Sequence, residues 1–261
     1  SNVLLNPVVV KVENEEKVHI KQEFYYIDEE NKTAFIPALI SSNKAKSILI
    51  FCNMKIKCDK LADDLYALGL DVLTLHSDLE QKQRDETIIL FSNKSYPILI
   101  ATDVASRGLH IDDVDLVINY DLSLDEKIHT HRIGRTARAG KGGLAISLYT
   151  QNDFDRVEII KETFSDIEDK SIDSVEDDLS YKIDSELRTI FINGGKKQKL
   201  RAGDILGALT AGIGLHKDDI GKIDILDFAS YVAISKEKIS FVLEKLSKEK
   251  IKGKYYRIYE K

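Results

Sequence analysis

Tryptophan is absent from the 261 residues, methionine occurs once, cysteine twice and proline three times. So few prolines exclude collagen and low-complexity tracts, and 43% hydrophobic residues exclude wholesale disorder. Two cysteines, Cys52 and Cys58, are too few for a disulfide framework, and no His/Cys spacing resembles a zinc site. A reducing, cytoplasmic setting is therefore the expectation. No apolar run approaches the roughly 18 residues that a membrane span needs. The N-terminus also lacks the charged-then-apolar pattern of a signal peptide, so no membrane partner is expected. The single methionine, Met54, is internal and the chain opens on Ser1, which predicts a piece cut from something longer. The length suits one large domain or two ordinary ones.

A large excess of either charge is missing as well: 38 Lys and Arg stand against 44 Asp and Glu, a formal net charge of -6. That near-balance conceals segregation. Residues 1–150 carry 18 basic and 22 acidic residues, 151–180 carry 3 and 11, and 181–261 carry 17 and 11. An acidic connector thus separates a mildly acidic first part from a basic last part, and the tail is the part expected to meet an anionic partner.

Short, nearly continuous apolar runs recur through the first part: SILIF (47–51), VLTL (72–75), ILIA (98–101), LVIN (116–119) and LAISLY (144–149). Strands buried on both faces read this way. Between them, Leu61, Leu65 and Leu68, then Ile88 and Ile89, fall at helical spacing, and strand alternating with helix implies a parallel sheet wrapped by helices. Each run is followed by small or hydrogen-bonding residues: Asn53, His76-Ser77, Thr102-Asp103, Asn119 with Asp121, and Thr150. In a parallel sheet those carboxyl ends share one edge, and ligands bind in the crevice outside it.

The last part has another rhythm. TIFIN (189–193), IGKIDIL (220–226), SYVAI (230–234) and KYYRIY (254–259) read as strands, with helices over 204–209 and 235–246. The order βαββαβ is that of a small α+β sandwich.

Three clusters carry chemistry. HRIGRTARAGKGG (131–143) gathers Arg132, Arg135, Arg138 and Lys141 among glycines, with no carboxylate between Glu126 and Asp153. Crowded cations repel one another unless a polyanion sits among them, and guanidinium forks suit phosphate oxygens. Balance by Asp112, Asp113, Asp115 and Asp121 is the structural alternative. ATDVASRGL (101–109) places hydroxyls and backbone amides at a strand's carboxyl end, suited to phosphate or ribose. His76-Ser77-Asp78, with Gln81 and Arg84, marks a helix start that either binds phosphate or is simply capped by Ser77 or Asp78.

Taken in order, IFCN (50–53), HSDLEQKQR (76–84), ATDVASRGL (101–109) and HRIGRTARAG (131–140) resemble motifs IV, IVa, V and VI of the DEAD-box RNA helicases. QEFYYIDEENK (22–32) is similar to the strand that opens the family's second motor domain. The resemblance implies a RecA-like parallel sheet with flanking helices over residues 1–165, an acidic connector over 166–185 and a small RRM-like βαββαβ domain over 186–261. By the same resemblance, Arg135 and Arg138 act on the phosphates of ATP as arginine fingers, while His131, Arg107 and Asp103 couple the two motor domains. Asn53, Ser77, Arg84 and Thr102 would touch the backbone of single-stranded RNA. Ser77, Ser106 and Ala137 depart from the family's usual residues, and His110 stands where the family carries the Asp that approaches the ATP ribose. The sequence contains no GxxxxGK[ST] loop and no DEAD tetrapeptide. ATP and Mg2+ are accordingly expected as cofactors of the full-length enzyme, held with a first RecA-like domain, and this piece is expected to hold neither tightly nor to hydrolyse ATP alone.

The tail carries Phe191 and Tyr231 on strands one and three, where aromatics of an RNA-recognition sheet stack on bases, although Ala229 occupies the place of a further aromatic. Lys196, Lys197, Lys199 and Arg201 form one basic loop, and Lys248, Lys250, Lys252 and Lys254 another. INGGKKQKLRAGDILGALTAGIGL (192–215), DIGKIDILDFASYVAI (219–234) and KIKGKYYRI (250–258) resemble the RNA-binding tail of the DbpA/YxiN subgroup. That likeness implies a 23S ribosomal RNA hairpin as partner and a role in large-subunit assembly. The lysine loops, then Tyr231, are the expected contacts. The competing expectation is a non-enzymatic RNA-binding adaptor on a RecA-like scaffold, for which paired arginines aimed at a triphosphate have no use.

Overall fold

The computed structural model describes residues 20–106, 111, 114–136 and 142–261. The first domain runs β1 (Ile20–Tyr26), α1 (Lys32–Ser42), β2 (Ile48–Phe51), α2 (Lys55–Ala67), β3 (Val72–Leu75), α3 (Gln81–Ser92), β4 (Ile98–Ala101), α4 (Asp103–Ser106), β5 (Leu116–Asn119), α5 (Glu126–Ile133), β6 (Gly143–Tyr149), α6 (Phe154–Thr163) and β7 (Ile167–Lys170). Its seven strands form one parallel sheet in the order β3-β4-β2-β5-β6-β1-β7. Every residue of β2, β4 and β5 is buried. Their side chains alternate between two layers because successive residues of a strand point to opposite faces. Ile48, Ile50, Ile98 and Ile100 meet Ile36, Leu39, Leu61 and Leu65 of α1 and α2 on one side. Leu49, Phe51, Leu99 and Ala101 meet Phe91 of α3 and Ile133 of α5 on the other. This RecA-like architecture agrees with the apolar runs. Both cysteines are free thiols in the interior.

Three features differ from the sequence reading or were not foreseen by it. β7 pairs in parallel with the outer side of β1 and lies past residue 165, inside the acidic segment. With the pattern IEDK it has no apolar alternation to reveal it, and two of its four residues are exposed. The rest of the connector also lies on the first domain: Tyr181 Oη donates to the Ala45 carbonyl at 2.8 Å, Ser41 Oγ donates to Asp177 at 2.7 Å, and Val175, Tyr181 and Ile183 pack on the α1–α2 layer. Finally, α3 is capped neither by Ser77 nor by Asp78. Glu80 occupies the cap, its N–H bonded to Gln83 Oε1 at 2.9 Å, while Asp78 is paired with Lys55 at 2.7 Å.

The tail runs β8 (Leu187–Ile192), α7 (Ala202–Gly207), β9 (Ile220–Ile225), β10 (Ser230–Ser235), α8 (Ile239–Leu246) and β11 (Ile258–Glu260). Its antiparallel sheet has the order β11-β8-β10-β9. One face buries Ile190, Ile192, Val232 and Ile234 against Ile205, Val242 and Leu246 of its helices. Among the described residues no helix is long and apolar enough to cross a membrane.

Candidate functional site

Asp125 starts α5, its side chain accepting the Ile128 N–H at 2.7 Å, and this phases the helix so that Arg132 points under the carboxyl edge of the sheet. Arg132 is 1% exposed and uses all five of its N–H donors. Nε and Nη2 grip the two oxygens of Asp103 at 2.6 and 2.7 Å. Nη1 donates to Asn119 Oδ1 at 3.2 Å and to the Asp121 carbonyl at 2.7 Å, and Nη2 also donates to Asn53 Oδ1 at 2.7 Å. The guanidinium lies 5.1 Å from the Phe51 ring centre. One buried cation thus ties together the residues that follow β2, β4 and β5.

Two carboxylates near this hub, Asp121 and Asp115, bond to groups outside the glycine-laced basic turn. Asp121 Oδ1 pairs with Lys57 at 2.7 Å, and Asp115 accepts the backbone N–H groups of Lys46 and Ser47. Burial would lower the Lys57 pKa, but hydrogen bonds to Asp121 and Glu29 outweigh it and hold the ammonium above the ordinary lysine value. Beneath the same helix His129 is buried between Phe24 and Phe164, with Nε2 2.8 Å from Gln22 Oε1. Burial, reinforced by the Arg132 charge, pushes its pKa down to about 4. The ring is therefore neutral at pH 7, and its Nδ1 has no hydrogen-bond partner.

Outside the hub a cavity of about 210 Å³ is lined by Phe51, Asp103, Ser106, His131, Arg132 and Arg135. His131 is exposed and Arg135 half-buried. This donor set fits an anionic phosphate chain. The Arg132 charge is balanced by Asp103, and His131 and Arg135 add donors at the cavity wall. Arg107, His110, Arg138 and Ala137 lie outside the described residues. Among the described residues no group of three or more His, Cys, Asp or Glu is placed to hold a metal ion.

The residues expected to meet RNA are divided by the fold. Ser77 is exposed, whereas Thr102 is buried. Arg84 donates to the Ala105 carbonyl at 3.1 Å, fastening α3 to the turn that carries Asp103. Asn53 differs from the expected role: its amide accepts from Arg132 and donates to the Leu122 carbonyl at 3.0 Å, so both ends are engaged within the protein.

In the tail, the two lysine loops meet. Lys252 and Gly253 form the two-residue turn between Ile251 and Lys254, both at positive φ (50° and 79°), as hairpin turns of this length require. From that turn Lys252 Nζ reaches the Lys199 carbonyl at 2.6 Å and Asp204 at 3.1 Å. Lys252 is consumed in stitching the loops, while Lys196, Lys197, Lys199, Arg201, Lys250 and Lys254 are exposed around the seam. Tyr255, 64% exposed with Lys250 Nζ 5.4 Å from its ring centre, joins them, and the sequence reading did not single it out. Tyr231 departs furthest from expectation: it is 1% exposed, packed edge-on to Phe191 at 5.3 Å, and closed to a base in this arrangement.

The hub itself was missed as well. The sequence shows Arg132 only as one of four cations, and no local pattern distinguishes a buried arginine with five acceptors from its exposed neighbours.

Comparison with known proteins agrees with this geometry. Residues 31–140 match the helicase conserved C-terminal domain family and residues 189–260 the DbpA RNA binding domain family. The ATP-dependent RNA helicase DbpA of Escherichia coli is 39% identical over 97% of this chain and 55% of its own length. The Bacillus subtilis protein of the same name is 34% identical over 92% of this chain and 54% of its own. The chain therefore spans about half the length of these curated relatives. Among solved structures, the E. coli DEAD-box protein SrmB bound to regulator of ribonuclease activity A superposes with a TM-score of 0.56 at 31% identity, covering 66% of this chain and 99% of that one. S. cerevisiae Dbp5 bound to RNA and ADP BeF3 gives 0.55 at 33% identity over 59% of this chain and 42% of that one. The chain belongs to the DEAD-box RNA helicases, in the DbpA subgroup, as a helicase C-terminal domain followed by a DbpA RNA binding domain.

Proposed function

We propose that this chain is the second motor half and the RNA-targeting tail of an ATP-dependent RNA helicase working in the cytoplasm on 23S ribosomal RNA during large-subunit assembly. The observation that carries the reading is the Arg132 hub. It draws Asn53, Asp103 and Asp121 from three separate segments to one sheet edge, beside a cavity walled by His131 and Arg135. The network stabilises the fold in either reading; what a fold kept only as a scaffold has no use for is the phosphate-sized cavity beside it, with His131 and Arg135 in its wall. In the full-length enzyme this half supplies donors to the ATP phosphates, where charge develops during transfer. The phosphate cradle and the groups that hold Mg2+ come from a first motor domain. Arg135, with Arg138, acts on the phosphates. His131, Asp103 and Arg107 report nucleotide state to the RNA side, and Ser77, Arg84 and Thr102 lie along the single strand. The tail holds a ribosomal hairpin through its joined lysine loops.

The test joins this chain covalently to a first motor domain and follows RNA-stimulated ATP hydrolysis. Arg135→Ala should lower turnover by about 10³–10⁵, the scale of other arginine fingers, and leave RNA binding by the tail intact. Unchanged turnover would remove the assignment, and ATP hydrolysis by this chain alone would contradict its role as half a motor.

A further inference from the structure

The tail keeps its aromatic side chains in two different states. Tyr231, the ring expected to stack on bases, is 1% exposed, and Phe191 is 8% exposed. Phe228 and Tyr255 are each 64% exposed, more than any other large apolar side chain among the described residues of the tail, where Phe241 and Tyr259 follow at 38%. Single apolar side chains on a surface are ordinary. What sets these two apart is where the sheet puts them. β10 and β11 flank β8 and both run antiparallel to it, with Ser230 and Ile258 opposite Ile192 on its two sides. The turn that leads into β10 and the segment that leads into β11 therefore reach the same end of the sheet, where β8 gives way to the first lysine loop. Phe228 lies in that turn and Tyr255 in that segment, one on each side of the loop.

The loop is fastened to both. Lys196 and Lys197 donate their backbone N–H groups to the Leu226 and Asp227 carbonyls at 2.9 Å, so the loop runs beside the turn that carries Phe228. On the other side the Asn193 N–H donates to the Arg257 carbonyl at 2.9 Å, and a Cβ on Gly194 would lie 2.3 Å from the Tyr256 ring. Tyr256 packs on the tail core, while its neighbour Tyr255 stays outside with Lys250 Nζ 5.4 Å from its ring centre. Of the cations, Lys197 pairs with Asp227 and Lys252 with Asp204. Lys196, Lys199, Arg201, Lys250 and Lys254 are exposed and in no ion pair among the described residues. Such cations neutralise phosphates, but they hold a stem and a loop alike. Rings beside them add a contact that only an unpaired base can make, because a base inside a duplex already has its faces stacked.

We propose that Phe228 and Tyr255 are the base-stacking residues of the tail, taking unpaired nucleotides of a hairpin loop on their rings while the phosphates lie on the lysines between them. Stacking is thereby moved from the face of the sheet, where Tyr231 is closed to a base, to its end. The tail then distinguishes a looped RNA from a continuous duplex of equal charge. Stacking here presupposes the reading of the tail as an RNA-binding module.

The test uses the whole chain, a 23S ribosomal RNA hairpin with its unpaired loop, and a blunt RNA duplex with the same number of phosphates. Phe228→Ala and Tyr255→Ala should each raise the Kd for the hairpin by about tenfold, within the range for one stacked base. The salt slope should not change, since no cation is removed, and duplex binding should stay at the parent's level. Tyr255→Phe keeps the ring and should bind the hairpin as the parent does. Because the chain has no tryptophan, Phe228→Trp and Tyr255→Trp each introduce a single emitter, whose fluorescence should be quenched by the hairpin and not by the duplex. Alanine variants that bind the hairpin like the parent, or tryptophan emission untouched when the hairpin is bound, overturn the proposal. So does an equal loss on hairpin and duplex, which would make the rings mere supports for the lysine loops. If the parent bound neither RNA, the RNA-binding reading would fall and the stacking with it. Salt-dependent binding by the parent with no response at either ring removes the stacking alone.

Discussion

Arg132→Ala is the substitution whose cost the structure defines best. Truncation removes all five donors at once. Asp103, whose side chain is 16% exposed, loses both bonds to its cation, and Asn53, Asn119 and the Asp121 carbonyl each lose a donor. Deleting one partner of a buried ion pair costs about 3–5 kcal/mol because the other charge is left desolvated and alone. Each neutral acceptor abandoned adds about 1–3 kcal/mol unless water enters the vacated space. The void beside an open cleft does admit water, so the expected total stays near 5 kcal/mol, a large share of an ordinary domain's stability of about 5–15 kcal/mol. Arg132→Lys keeps the charge but cannot match a planar fork to a carboxylate and three further acceptors, and about 2–3 kcal/mol should be lost. Urea unfolding of this chain, followed by far-UV circular dichroism, reads both. A double-mutant cycle with Asp103→Asn tests the mechanism. Removing the orphan charge should recover part of the loss, with a coupling energy of about 2 kcal/mol. If Arg132→Ala stayed within about 1 kcal/mol of the parent, or if the two substitutions were additive, the hub would not be holding the three segments and the argument from it would fail.

His129, with a folded pKa of about 4 against an ordinary value of 6.5, is neutral in both states above pH 6.5 and contributes no pH dependence there. As pH falls from 6.5 towards 4 the unfolded chain takes up a proton that the fold refuses, so stability should decline by about 1.4 kcal/mol per pH unit, and His129→Gln should flatten that limb of the denaturation profile. Gly195→Ala would place a Cβ 2.2 Å from the Leu226 carbonyl oxygen and 2.8 Å from the Ala229 nitrogen. It should destabilise the tail by about 2–3 kcal/mol in thermal unfolding, whereas Gly203→Ala, in helix α7 with nothing within 4 Å, should stabilise it slightly. Lys196→Ala and Lys250→Ala should each reduce the salt slope of hairpin binding by about 1. Lys252→Ala should instead lower the tail's melting temperature, because its ammonium holds the two loops together.

What the chain revealed by itself was local. ILIF, ILIA and LVIN name buried strands because a segment covered on both faces has to be apolar throughout, and that demand is written residue by residue. The polar groups at the strands' carboxyl ends marked the site edge for the same reason, since parallel strands share one edge whatever their order in the sheet. β7 escaped notice because an edge strand against solvent needs no apolar pattern. The remaining surprises were matters of partnership. Nothing near position 132 says that Asp103, Asn119 and Asn53 arrive together from three separate segments, and nothing near position 231 says whether a buried tyrosine face is covered by RNA or by α3. Periodicity records that a surface leaves water. Which surface it meets is decided by chain segments far away in sequence, and only the folded arrangement of Glu86, Ile89 and Asn93 against Thr189 and Tyr231 supplied that answer.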